Sequence, residues 1–131
     1  MLSAYCSQVL PVLLQQLPDF ADLVVEQGEG FQVSFLTPAG WEFWLGTDDD
    51  DYLTVGLAEY HCHFGMYAGT TPAEDAVAAA AFVHALQQGE LVIAVWFAGE
   101  EYMGSYPVPP TEQPQQVTSG PKQTLTLKRW G

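Results

Sequence analysis

The spacing of hydrophobic positions changes several times along the chain, and each change marks an element. Val9, Leu10, Leu13, Leu14 and Leu17 recur at intervals of one, three and four, which predicts an amphipathic helix over 3–17. Pro11 is best accommodated if Ser7 caps this helix and the proline falls in its first turn, and Pro18 ends it. A short strand over 23–26 leads into Gly28-Glu29-Gly30. Then the period drops to two: Phe31, Val33 and Phe35 alternate with Gln32 and Ser34, and Trp41, Phe43 and Leu45 alternate with Glu42 and Gly46. Thr37-Pro38-Ala39-Gly40 supplies the turn of an antiparallel hairpin.

A third strand is predicted over 52–64. Its apolar face changes parity midway, from Leu53, Val55 and Leu57 to Tyr60, Cys62 and Phe64, which a β-bulge or bend near residues 56–58 would explain. Residues 71–89 then carry a complete helix signature. Thr71 is placed as N-cap, Pro72 at the first helical position, Glu74 three after the cap, and Gly89 as the stop. The small residues Ala76, Ala79 and Ala80, with Val83 and Leu86, form its packing face. Residues 91–97 are apolar on both parities, as in a central strand covered on both sides, and 102–106 can return beside it. Five prolines in 107–121 predict an extended loop, and 123–130 reads as a last strand. The predicted fold class is α+β: a mainly antiparallel sheet of about six strands, with an N-terminal helix and one central helix packed on it. The length, 131 residues, fits a single domain over 1–131 with a real hydrophobic core.

Charge narrows the functions. Sixteen acids face three bases, and the bases are Lys122, Lys128 and Arg129, so residues 1–121 hold every acid and no lysine or arginine. A nucleic-acid binder or a protein seated on an anionic membrane needs clustered cations, so neither partner is expected. The first residues lack a basic segment ahead of an apolar stretch, and no run reaches the length of a membrane span. A cytoplasmic protein with Cys6 and Cys62 as reduced thiols is expected.

Three constellations could carry chemistry. On one strand Glu59, His61 and His63 would share a face, which suits a divalent metal, a groove for a ligand or partner, or simply an exposed polar stripe. Asp48, Asp49, Asp50 and Asp51 lack the glycine that a calcium loop needs at its sixth position. They read either as a solvated turn or, with Glu100 and Glu101, as a docking surface for a basic partner. Cys62 lies between two histidines, but neighbours on a strand face opposite ways, and no nucleophile elbow, phosphate loop or dinucleotide fingerprint is present. A non-enzymatic role without a cofactor is the expectation, and a metal-binding protein or metalloenzyme built on His-x-His is the alternative.

The stretch Tyr60-His61-Cys62-His63-Phe64, followed by a helix, Glu90-Leu91-Val92, Gly104-Ser105 and a terminal strand ending at Trp130, resembles a group of small bacterial proteins with a Tyr-His-x-His-Phe strand. These are similar to immunity proteins, which neutralise a toxin. The resemblance implies a toxin as partner and assigns no contact residue; the acid excess is what makes a basic toxin or other basic partner protein the expectation.

Overall fold

The computed structural model describes residues 1–47, 50–65, 69–117 and 120–131. Among the described residues there are two α-helices and eight strands, the strands forming two antiparallel sheets, so the α+β class is observed, with the strands divided rather than gathered in one sheet. The first sheet is a five-stranded meander in the order β1 (Val25–Gln27), β2 (Gly30–Leu36), β3 (Glu42–Gly46), β4 (Leu53–Leu57) and β5 (Tyr60–Phe64). The second places β6 (Val92–Ala98) between β7 (Glu101–Val108) and β8 (Thr124–Lys128).

Helix α1 (Ala4–Gln16) starts earlier than its proline suggested. Ser3, not Ser7, is the N-cap, and its hydroxyl accepts from the Cys6 amide. Pro11 therefore lies inside the helix on its exposed side, where it removes one ladder donor without disturbing the buried face of Tyr5, Cys6, Val9 and Leu13. Pro18 opens a 3-10 turn, Pro18–Leu23, which displaces the predicted strand to Val25–Gln27. Helix α2 (Pro72–Gln87) has the predicted capping box: Thr71 accepts from the Glu74 amide, and the Glu74 carboxylate accepts from the Thr71 amide. The Thr71 amide first, and then the Thr71 side chain, hold the Glu74 carboxyl below its ordinary range.

The strand expected over 52–64 is in fact a hairpin. Leu57 pairs with Tyr60, and the chain reverses at Ala58 and Glu59, with Ala58 at φ 54°. Paired residues share a face, so the parity switch comes from reversal of the chain and needs no bulge. The core lies between the inner face of the five-stranded sheet and the two helices, and is built by Phe31, Val33, Phe43, Leu45, Leu53, Val55 and Leu57 against Val9, Leu13, Ala76, Ala79, Val83 and Leu86. Central β6 is covered on both sides as expected. Ile93 and Val95 enter this core, while Val92 and Ala94 meet Val108, Tyr106 and Leu125 in a smaller cluster. Strand β7 takes in Pro107 and Val108 from the predicted loop. The Tyr106 hydroxyl holds the remainder, donating to the Gln115 carbonyl at 2.5 Å and accepting from its amide at 2.7 Å.

The last strand joins the two sheets. Lys128, nine-tenths buried, donates to both carboxylate oxygens of Glu59 at 2.6 and 2.8 Å and lies 4.3 Å over the Trp41 ring. Trp130 packs edge-on against Phe35 and Phe43, and its carbonyl accepts from the Ala39 amide in the β2–β3 turn.

Candidate functional site: a groove on the open face of the meander

The inner face of the meander is filled, but among the described residues no helix covers its outer face. The register stacks two rows of outer residues across the strands: Val25, Gln32, Gly46, Thr54 and His63 in one, Ser34, Trp44, Gly56 and His61 in the other. Two of the central positions are glycines: Gly46 lines the floor, and Gly56 lies beneath the Trp44 indole. The result is a groove with a cavity volume of about 360 Å³ lined by Phe31, Gln32, Trp44, Gly46, Thr47, Tyr52, Thr54, His61 and His63.

Each glycine is required by a close approach. A Cβ on Gly56 would fall inside the six-membered ring of Trp44, so the half-exposed indole lies directly across the β4 backbone. A Cβ on Gly46 would strike the Phe31 carbonyl oxygen, where the end of β3 crowds β2. That end is pinned by the Thr47 hydroxyl, which receives the Phe31 amide at 3.3 Å and meets the Cys6 thiol of α1 at 3.1 Å. The far wall is β5. His61 and His63 are exposed with their rings 5.3 Å apart, Tyr52 stands edge-on to His63 at 5.0 Å, and His63 Nδ1 hydrogen-bonds the Thr54 hydroxyl at 2.9 Å.

Exposed acids stand close in sequence to groove residues without lining the groove. Glu42 is exposed two residues before Trp44 on the same face of β3, and Asp50 and Asp51 are exposed immediately before Tyr52. Asp48 and Asp49 lie outside the described residues. Glu100 and Glu101 are exposed at the β6–β7 turn of the other sheet and do not line the groove.

Glu59 does not join the histidines. The reversal at Ala58 and Glu59 takes it out of the strand, and Lys128 engages both of its oxygens, so the Glu59, His61, His63 triplet expected on one face is corrected to a histidine pair. His84 is also apart, donating from Nε2 to the Gln16 carbonyl at the end of α1. Among the described residues no group of three or more His, Cys, Asp or Glu side chains is placed to hold a metal ion.

Behind the groove, on the inner face, Cys62 and Tyr60 interact with each other. Burial pushes the Cys62 thiol up, the contact with Tyr60 pulling it the other way, and burial pushes the Tyr60 phenol up to about 12. Cys62 and Cys6 are both free thiols. A protonated thiol facing away from both imidazoles is not an activated nucleophile.

Sequence reasoning placed the two histidines on one face but missed Trp44, Gly46 and Gly56. The available signal was a pair of glycines inside strands, which marks a close approach of another group, together with a tryptophan on the polar parity. No helix among the described residues is long and apolar enough to cross a membrane. Comparison of the chain with protein-family models, with curated proteins and with solved structures finds no match in any of the three.

Proposed function

We propose that this chain is a small acidic binding protein, non-enzymatic, that covers a basic surface of a partner protein in the manner of an immunity protein neutralising a toxin. The observation that carries this reading is the groove on the outer face of the sheet, in a chain whose first 121 residues contain sixteen acids and no lysine or arginine, with Glu42, Asp50 and Asp51 exposed close in sequence to groove residues. Aromatic side chains in a concave site supply the anchoring contacts of an interface. The acid excess accelerates encounter with a cationic partner and repels anionic ones. Glu100 and Glu101 add to that field from the second sheet. A metal-binding role would rest on His61 and His63 alone among the described residues, and the same two side chains serve the groove as a wall.

The test is affinity capture from the native host, with the wild type beside a Trp44→Ala variant and an Asp50→Asn, Asp51→Asn double variant. The expected result is one stoichiometric partner of basic isoelectric point, retained by the wild type, lost from Trp44→Ala, and bound more slowly by the double variant. Association should also slow as salt rises. Identical capture by all three proteins would remove the groove from the interface, and the absence of any stoichiometric basic partner would remove the function.

A further inference from the structure

The protein already holds one cation, and the way it does so shows what this surface is able to recognise. Lys128, buried to nine-tenths in β8, sits 4.3 Å over the Trp41 ring with the Glu59 carboxylate on its ammonium, so one aromatic face and one acid are its partners. The groove on the other side of the meander offers related components, and none of the described residues fills it. Trp44 lies across Gly56 and lines the space, Tyr52 and the two imidazoles stand opposite, and the hydroxyls of Thr47 and Thr54 and the amide of Gln32 surround it.

Size limits what can enter. About 360 Å³ is at the low end of small-molecule sites, enough for one side chain or a head group. Shape and chemistry limit it further. Planar π surfaces favour a flat cation that stacks, and oxygens arranged around the rim favour a group with several divergent N–H donors. Guanidinium has both properties, being planar, weakly hydrated and equipped with five donors, whereas ammonium is a compact, strongly hydrated point charge. The acid excess, with Glu42, Asp50 and Asp51 exposed close in sequence to groove residues, supplies the sign of the field, and no lysine or arginine in residues 1–121 opposes it.

We infer that the groove between Trp44, Tyr52, His61 and His63 is a receptor for a single arginine side chain presented by a protein. The inference rests on the binding function proposed above and adds the group that is read. In this arrangement the guanidinium stacks on the Trp44 indole, which the absence of a Gly56 side chain lets lie flat on the sheet, and its N–H groups point to the rim oxygens.

The experiment is an NMR titration of the full chain with N-acetyl-arginine amide and, in parallel, N-acetyl-lysine amide. The Trp44 indole N–H and the ring signals of His61 and His63 are the reporters. The expected result is saturable shifts confined to groove residues, with arginine binding at least about threefold more tightly than lysine. His61→Ala, which changes an exposed edge-strand residue, should weaken arginine binding. Trp44→Leu should abolish it, and Val77→Ser on the exposed side of α2 should leave it unchanged. Equal affinity for the two amides, or shifts centred outside the groove, overturns the inference, and the wild-type titration alone decides this even if Trp44→Leu does not fold. If the arginine titration fails while a basic partner is still captured through Trp44, the receptor is wrong and the binding function stands. If neither binds, both fall.

Discussion

Gly46 and Gly56 are both strand glycines on the outer face, yet they forbid a methyl group for different reasons. At Gly56 the obstacle is the Trp44 side chain, which can rotate away. At Gly46 it is the Phe31 carbonyl and the Gln32 backbone, which cannot move without breaking the β2–β3 register. Gly56→Ala is therefore expected to fold with a loss of about 1–3 kcal/mol, the usual cost of overpacking, and to shift tryptophan emission as the indole leaves the sheet. Gly46→Ala should cost more, and urea melts of the two variants provide the comparison. Tyr60 allows a second test at this scale. Its phenol is held protonated in the fold up to about pH 12, against an ordinary value of 10 in the unfolded chain. Between those values the folded state binds more protons, so this contribution to stability is complete below pH 10 and declines as the pH rises towards 12. Denaturation across that range should show Tyr60→Phe losing less stability with rising pH than the wild type. A parallel decline in the two proteins would remove Tyr60 as a cause.

At the scale of elements, the β4–β5 turn and the last strand depend on each other. Glu59 is in the turn because the chain reverses there, and its carboxylate compensates Lys128, whose side chain is only 10% exposed. Glu59→Gln should destabilise the protein by about 2–3 kcal/mol, below the range for a fully buried pair because Glu59 itself is 31% exposed. Pairing Glu59→Gln with Lys128→Met should recover much of that loss, and a double-mutant cycle by chemical denaturation measures the coupling. This turn also shows what could be read in advance. The capping box of α2 was legible because Thr71, Pro72 and Glu74 act locally, and the β2–β3 hairpin was legible because its turn residues announce it. Ala58-Glu59 carries no glycine, asparagine or proline, so nothing local distinguished a reversal from a bulge. The positive φ of Ala58 is imposed by the register on either side. Likewise Pro11 pointed to a late helix start, whereas the earlier cap at Ser3 extends the buried face to Tyr5 and Cys6. The histidine pair was legible from the period of a strand. The groove was not, because it depends on which three strands bring Trp44, Gly56 and His61 into one row.

Over the whole molecule the acid excess works against compactness. With Lys128 committed to Glu59, most of the sixteen acids have no fixed cation to neutralise them, and the folded state concentrates their repulsion. Raising NaCl from about 0.01 M to about 1 M shortens the Debye length from about 30 Å to about 3 Å. The midpoint of thermal unfolding should therefore rise by an amount on the order of a few degrees. A fall in the midpoint would mean that specific ion pairs outweigh the general repulsion. A basic partner would act in the same direction as salt by supplying the missing charge, so complex formation and stability should be linked.

The seating of Lys128 has a consequence for how the chain meets proteases. An enzyme that cuts only after lysine or arginine has three sites in the sequence, after Lys122, Lys128 and Arg129, and the middle one lies in a strand paired with β6, with its side chain beneath Glu59 and over Trp41. The first 122 residues form a single fragment under such cleavage, and release of the segment after Lys128 requires β8 to leave its sheet. Limited digestion at that bond therefore measures the opening of one strand, separately from unfolding of the body it closes.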